Sequence, residues 1–98
     1  MKSAKPIRWN AEKNVELMRE RLISFEEVLS CIEQGGLLEV LDHPNRLRYP
    51  NQRIWVVRVR GYAYLVPVVE SPGEIFLKTI RPSRKATRQY MSESDDDN

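Results

Sequence analysis

The chain is poor in the residues that build several common kinds of functional site. Its 98 residues include one cysteine, Cys31, and one histidine, His43. A single cysteine excludes an internal disulfide framework, and one thiol with one imidazole cannot form a zinc cluster within one chain. No apolar run approaches the roughly 18 residues that span a bilayer, and no apolar stretch with a cleavage site follows the N-terminal basic residues. These absences predict one small cytoplasmic domain.

Motifs of nucleotide and acyl-transfer chemistry are also missing. The four glycines form no loop that could cradle a phosphate, and His43 lies beside Pro44 with no serine in a nucleophile-elbow context. Nucleotide hydrolysis and a serine-hydrolase triad therefore have no support in the sequence. We expect neither a metal nor a cofactor.

Charge, in contrast, is abundant and unevenly distributed. The net charge is +2, but residues 10–42 hold three basic and eight acidic groups, a net −5. Residues 46–88 hold ten basic and two acidic groups, a net +8, and residues 91–98 add four carboxylates and no base. A basic segment of this size favours a polyanion partner, because neutralised phosphates release condensed counterions. A solvated basic surface accounts for the charge alone equally well.

The N-terminal half has the pattern of a short strand followed by two amphipathic helices. Residues 7–9 form the strand, and Asn10 is suited to cap the helix after it. Apolar residues then recur every three or four positions and predict a helix buried along this face: Ala11, Val15, Met18 and Leu22. Ser24 and Glu27 form a capping-box pattern that predicts the start of a second helix. Gly35 and Gly36 predict its end. Its apolar face comprises Phe25, Val28, Leu29 and Ile32.

The C-terminal half predicts a sheet. Residues 37–42 have the composition of a short strand, with a helix extension as the alternative, and residues 46–52 form a basic loop. An antiparallel meander of three strands is predicted by three features. Apolar and polar residues alternate from Arg53, residues 63–70 form an apolar run, and a turn precedes residues 74–80. We expect its first turn at Gly61 and Tyr62 and a bulge at Pro67.

Pro82 ends the last predicted strand, and residues 84–90 have the pattern of a short basic helix. The fold class is therefore α+β: two N-terminal amphipathic helices packed on an antiparallel sheet of about four strands, with a short basic C-terminal helix. Residues 1–90 form the single domain, and residues 91–98 form an acidic tail that we expect to be disordered.

Cations and tyrosines around the predicted sheet suit RNA. Guanidinium groups bind phosphate in a bidentate manner and stabilise the charge of a pentavalent phosphorane. Because the RNA 2′-hydroxyl can be the nucleophile, a ribonuclease needs only positioning, charge and proton transfer. Arg84 and Arg88 lie one helical turn apart and share a face, on which Arg81 converges. The residues expected to bind RNA around this set are Arg58, Arg60, Tyr64, Lys85 and Tyr90.

Several of these residues have a structural alternative. Tyr64, like other aromatic residues of a small domain, is well suited to the core. Lys78 either lines a site at the edge of the sheet or extends its stem across apolar surface to water. His43 is either a general acid or base or a surface residue, and Cys31 is expected to be a buried, inert thiol.

Three segments resemble the BrnT family of bacterial toxins. The first is Ile7-Arg8-Trp9-Asn10 with the following Lys13-Asn14, and the second is Ile23-Ser24-Phe25-Glu26-Glu27-Val28. The third runs from Ile80 to Tyr90 and includes Ser83-Arg84-Lys85-Ala86-Thr87-Arg88. Together they span most of residues 7–90, and the third is the most specific. A long loop over residues 46–52 and the acidic tail are departures from the family pattern.

The resemblance implies a RelE-like fold and a metal-independent endoribonuclease that cleaves mRNA and inhibits translation. It also implies a cognate antitoxin protein that neutralises the toxin and binds operator DNA. By similarity, activity would be carried by basic residues around the sheet and the last helix: Arg53, Lys78, Arg81, Arg84 and Arg88. The alternative is a non-catalytic module that binds nucleic acid or protein through the basic face of the sheet.

Overall fold

The computed structural model describes residues 5–96, with side chains as far as Met91. The chain is an α+β protein with three helices and one mixed sheet. Its elements are β1 (Ile7–Trp9), α1 (Ala11–Arg21), α2 (Phe25–Glu33), β2 (Leu37–Asp42), β3 (Gln52–Val59), β4 (Tyr62–Glu70), β5 (Ile75–Leu77), β6 (Arg81–Pro82) and α3 (Arg84–Asp96). None of the helices in the described part of the chain is long and apolar enough to cross a membrane.

The sheet has the strand order β1-β5-β4-β3-β2. The short strand β6 lies outside this order and pairs with β4. Strands β3, β4 and β5 form the predicted antiparallel meander, to which β2 adds antiparallel to β3. Strand β1 instead runs parallel to β5. The expectation of a purely antiparallel sheet of about four strands was therefore too simple. Strand β1 pairs with residues almost seventy positions away, and such a pairing leaves no local signal in the sequence.

The hairpin between β3 and β4 turns at Arg60 and Gly61, one position earlier than predicted. Both residues have positive φ, 53° and 80°, as a two-residue type I′ turn requires. Glycine adopts this backbone without a steric penalty. The turn keeps β3 and β4 in continuous register from Val59 opposite Tyr62 to Gln52 opposite Val69.

The bulge predicted at Pro67 is absent between β3 and β4, whose register runs through Pro67 without a break. The irregularity lies on the other side of β4. Val68 is paired with Leu77, whereas Leu65 is paired with Arg81, so three residues, 78–80, stand opposite two. Strand β5 accordingly ends at Leu77, three residues before its predicted end.

Helices cover both faces of the sheet. The larger core lies between α1, α2 and one face, and its fully enclosed residues include Phe25, Val28, Val57, Val66 and Leu77. A smaller core joins α3 to the other face through Ala86, Val56 and Ala63, with Leu38, Leu65, Tyr90 and Met91 packed around them. Helix α3 extends to Asp96 rather than to residue 90, and residues 97 and 98 of the predicted tail lie outside the described residues.

The face that α1 turns to the core is not the predicted one. Its buried residues are Asn14 and Leu17, whereas the stripe of Ala11, Val15, Met18 and Leu22 is exposed. The reason is the Asn14 amide: its Oδ1 accepts the Phe25 N–H at 2.8 Å and its Nδ2 donates to Glu26 Oε1 at 2.8 Å. The first bond satisfies the first free backbone amide of α2, and the two bonds together fix the rotation of α1.

Three carboxylates are stabilised by hydrogen bonds from other elements. The amide of Asn14 lowers the pKa of Glu26, the guanidinium of Arg60 lowers that of Glu27, and the ammonium of Lys5 lowers that of Glu70. Each of these glutamates therefore stabilises the folded state more when it is ionised, as at neutral pH, than when it is protonated.

Replacing Asn14 should destabilise the fold. Asn14→Ala leaves the buried Phe25 N–H without its acceptor, and we expect the free energy of unfolding to fall by about 2 kcal/mol. Urea unfolding followed by circular dichroism measures it. Asn14→Asp keeps the acceptor and loses only the donor. At pH values where Glu26 is protonated, it should therefore lower the free energy of unfolding less than Asn14→Ala does. An Asn14→Ala protein as stable as wild type would contradict this role.

Stability should fall in acid. A lowered pKa means that the stabilisation is complete above the ordinary glutamate pKa, about 4.3, and disappears as the pH falls through the lower folded value. Glu70→Gln should therefore melt below wild type at pH 7, and the gap should close as the pH falls through the lowered pKa of folded Glu70. Thermal unfolding across this range gives the comparison, and a gap that stays constant with pH would refute the contribution of Glu70.

Candidate functional site

A cavity of about 330 Å³ brings together residues from four segments of the chain. Three of the five predicted catalytic residues, Arg53, Lys78 and Arg81, line it, and so does the only histidine. The described residues that line it are His43, Pro44, Gln52, Arg53, Ile54, Pro67, Lys78, Thr79 and Arg81. None of these residues is acidic, so the lining is cationic.

The sheet positions the cavity beside α3. Ile54 and Pro67 are register partners in β3 and β4, and alternation puts them on the same face as Val56 and Leu65. Helix α3 packs on that second pair and leaves the first pair uncovered. The cavity is therefore the part of this sheet face that α3 does not reach.

Lys78 and Arg81 approach the cavity from the irregular segment opposite Pro67. The Lys78 N–H donates to the Pro67 carbonyl at 2.9 Å, and Arg81 rejoins the sheet opposite Leu65. Between them, Ile80 is enclosed in the larger core, which anchors the segment. No described carboxylate pairs with either cation, so both keep their charge available to a ligand.

His43 enters the cavity from the loop after β2. Its Nδ1 accepts the Asn45 N–H at 2.9 Å, and its ring lies 4.6 Å from the ring of Tyr49, centroid to centroid. Because Nδ1 is an acceptor, the neutral ring carries its proton on Nε2. Nε2 is thus the atom that can donate to a ligand.

The arginine predicted to lie at the same site, Arg53, is largely committed to the fold. Its guanidinium pairs with Glu70 at 3.2 Å and with Asp42 at 3.4 Å. These contacts join β2, β3 and β4 at the rim of the cavity. Arg53 is held by carboxylate partners, which it shares with Lys5 and Arg46, so Lys78 and Arg81 are the stronger phosphate ligands of the lining.

The predicted cations of α3 lie outside the cavity, on the outer surface of the helix. Arg84, Lys85 and Arg88 are exposed, while Ala86 is buried against the sheet. Ser83 caps the helix by accepting the Ala86 N–H at 3.0 Å, and Thr87 Oγ1 accepts the Ala63 N–H at 2.8 Å. The sheet thereby holds the buried face of α3 in place. The outer face of the helix is basic and begins three residues after Arg81.

The remaining predicted RNA-binding residues differ in their surroundings. Arg58 is exposed. Arg60 donates two hydrogen bonds of 2.8 Å to the Glu27 carboxylate and one of 2.6 Å to the Leu22 carbonyl, so it ties the β3–β4 turn to α2. Tyr64 packs against the larger core and Tyr90 against the smaller one. Of these residues, Arg58 and Lys85 have charges that no described side chain neutralises.

Cys31 lies at the edge of the larger core and offers no activated nucleophile. Burial raises the pKa of its thiol, so the thiol stays protonated at neutral pH. The neighbouring Gly36 is closely packed, because a Cβ there would lie 2.8 Å from the Cys31 carbonyl oxygen.

His43 is the cavity residue that sequence reasoning left undecided. Two features of the sequence pointed to a role for this residue: it is the only histidine, and it lies in a loop beside Pro44. Its proximity to Lys78 and Arg81 arises from the pairing of β3 with β4 and of β6 with β4, which the loop sequence does not encode.

The chain matches no protein-family model. A search of curated proteins gives no significant match either.

Arg60 and Arg58 form a matched pair for separating a structural role from a role in the RNA binding that the sequence predicts. Arg60→Ala should lower the melting temperature, because the bonds to Glu27 and Leu22 are lost, and leave RNA affinity unchanged. Arg58→Ala should leave the melting temperature unchanged and weaken RNA binding, with a salt slope reduced by about one. Melting curves and fluorescence anisotropy with a labelled oligonucleotide measure both. The reverse pattern would show that Arg60 contacts RNA.

Proposed function

We propose that the chain is a metal-independent endoribonuclease with a RelE-like fold, acting in the cytoplasm as the toxin of a bacterial toxin–antitoxin pair. The observation that carries the proposal is the cavity that joins His43 to two cations, Lys78 and Arg81, with which no carboxylate of the described side chains pairs. The antitoxin, as a protein that neutralises the toxin and binds operator DNA, rests on the family resemblance alone.

The cationic lining suits a phosphodiester that is cleaved by its own ribose. Attack of the 2′-oxygen on phosphorus forms the P–O2′ bond and breaks the P–O5′ bond, which leaves a 2′,3′-cyclic phosphate and a 5′-hydroxyl. Negative charge builds on the non-bridging oxygens, where Arg81 and the Nε2–H of His43 can donate hydrogen bonds. The Lys78 ammonium supplies the proton that the leaving 5′-oxygen takes, and water in the open cavity accepts the proton of the 2′-hydroxyl.

The outer face of α3 supplies binding rather than chemistry in this proposal. Arg84, Lys85 and Arg88 lie beyond the lining of the cavity and are exposed, so they can hold the phosphates on either side of the scissile bond. Phosphate contacts of this kind position a strand without reading its bases. Arg84 and Arg88 thus move from a catalytic to a positioning role.

A second candidate function is non-catalytic binding of nucleic acid. The absence of any carboxylate from the cavity lining favours it, because a carboxylate is a common general base. This candidate predicts RNA binding that weakens steeply with salt and no cleavage.

The test is single-turnover cleavage of a labelled single-stranded RNA in the presence of EDTA. Lys78→Ala and Arg81→Ala should each lower the rate at saturating protein by about 100-fold, because the first removes the general acid and the second removes a donor to a developing oxyanion. The double variant Arg84→Ala, Arg88→Ala should weaken binding and leave the saturated rate within a few fold of wild type. The product ends, cyclic phosphate and 5′-hydroxyl, are read by mass spectrometry.

Arg19→Ala is the matched control, because Arg19 is an exposed cation of α1, on the opposite face of the sheet from the cavity. It should cleave at the wild-type rate. Binding without cleavage by the wild-type protein would support the non-catalytic module, and cleavage that survives both Lys78→Ala and Arg81→Ala would remove the cavity as the active site. Induced expression should arrest bacterial growth only for variants that cleave.

A further inference from the structure

The outer face of α1 carries large apolar side chains that no other part of the described chain covers. Val15, Met18 and Leu22 are 52%, 50% and 74% exposed, and Ala11 is exposed beside them. Helical spacing places Ala11, Val15 and Met18 in one stripe of α1, and Leu22 follows at the left-handed C-cap of the helix. A contiguous exposed stripe of this kind marks an interaction surface, whereas single exposed apolar residues do not.

The orientation of this stripe is fixed by bonds within the protein. The Asn14 amide is held by Phe25 and Glu26, and the Arg21 guanidinium donates to the Ile80 carbonyl. Turning the stripe into the core would break both sets of bonds and expose Leu17. The stripe is therefore a stable outward surface of the fold.

Acidic residues border one side of the stripe. A shallow groove of about 490 Å³ runs along this side, lined by Ala11, Glu12, Val15, Glu16, Arg19 and Glu20. Its three carboxylates outnumber its one guanidinium. Glu16 has only a long contact, 3.8 Å, with Lys13, and Glu12 and Glu20 have no ion-pair partner among the described side chains.

We infer that the exposed stripe of α1 is a docking surface for a helical segment of another protein, apolar along one face and bearing lysine or arginine along the edge that meets Glu12, Glu16 and Glu20. The stripe extends over eleven residue steps, roughly 16 Å, which is the footprint of about three turns of a helix packed alongside. Lysine or arginine is required because an acidic edge would repel these carboxylates.

A second copy of this chain is a poorer occupant. In a two-fold interface each helix contacts the same surface of its partner, so pairing α1 with α1 would place the acidic edges of both copies at one interface. Like charges at an interface are unfavourable. The charge of the groove therefore selects a basic partner.

The surface lies on the opposite side of the sheet from the cavity, because α1 packs with the larger core and the cavity shares its sheet face with α3. A helix docked on α1 leaves the cavity open. The inference therefore goes beyond the proposed ribonuclease function and stands or falls separately from it.

The test uses two synthetic amphipathic peptides of roughly 18 residues, or five helical turns. Both carry leucine along one face, and they differ only in having lysine or glutamate along its edges. Titrated into the full ¹⁵N-labelled chain, the lysine peptide should shift amide signals of residues 11–22 and bind at least about tenfold more tightly than the glutamate peptide.

Two variants of α1 and one control locate the contact. The double variant Val15→Ser, Met18→Ser should lower the affinity for the lysine peptide by about tenfold or more. Reversing the edge with Glu12→Lys, Glu16→Lys, Glu20→Lys should invert the preference between the peptides, which also provides a readout if the serine variant folds poorly. The control Val40→Ser, Leu41→Ser changes exposed apolar residues of β2 and should bind as wild type.

Four outcomes would overturn the inference: equal affinity for the two peptides, signal shifts that avoid α1, wild-type binding by both α1 variants, or no binding at all. Sedimentation equilibrium without peptide addresses the second copy. A dimer that Val15→Ser, Met18→Ser dissociates would assign the stripe to self-association and also overturn it.

Discussion

The hydrogen bonds of Asn14 are the constraint on which the arrangement of this chain depends. One buried amide joins α1 to the beginning of α2, accepting from Phe25 and donating to Glu26. An apolar residue at this position would leave the Phe25 N–H without a partner in the core, at a cost comparable to the burial of a small side chain. The buried face of α1 is therefore set by this polar contact together with the burial of Leu17 and the bond from Arg21 to the Ile80 carbonyl.

The sheet separates the two charge populations of the sequence. Helices α1 and α2, whose segment is acidic, cover one face, and α3 with its cations covers the other. Three cations of the basic segment form ion pairs with the acidic segment: Arg60 pairs with Glu27, and Arg46 and Arg53 pair with Asp42. A protein with this arrangement can present a basic surface to phosphates and an acidic, partly apolar surface to a protein, without either surface blocking the other.

Local features of the fold were predictable from the sequence and long-range ones were not. The caps at Asn10 and Ser24 accept the amides that their positions predict, and the meander of β3, β4 and β5 follows its alternation and turns. The buried face of α1 was predicted wrongly, because periodicity counts apolar side chains and gives no weight to the bonds of Asn14. At the candidate site, composition identified Lys78 and Arg81 but could not separate them from Arg60, whose partner lies 33 positions away.

A proline in a central strand connects the fold to the cavity. In an antiparallel strand the N–H and C=O of one residue point to the same neighbour, and the Pro67 carbonyl accepts from Lys78. The missing N–H of Pro67 therefore faces the same segment, and the ladder between β4 and β5 cannot continue past this point. The chain leaves the sheet over residues 78–80 and returns with Arg81 opposite Leu65. The extra residue in this segment sets Lys78 and Arg81 around the open sheet face, so the backbone defect at Pro67 is what makes room for the site.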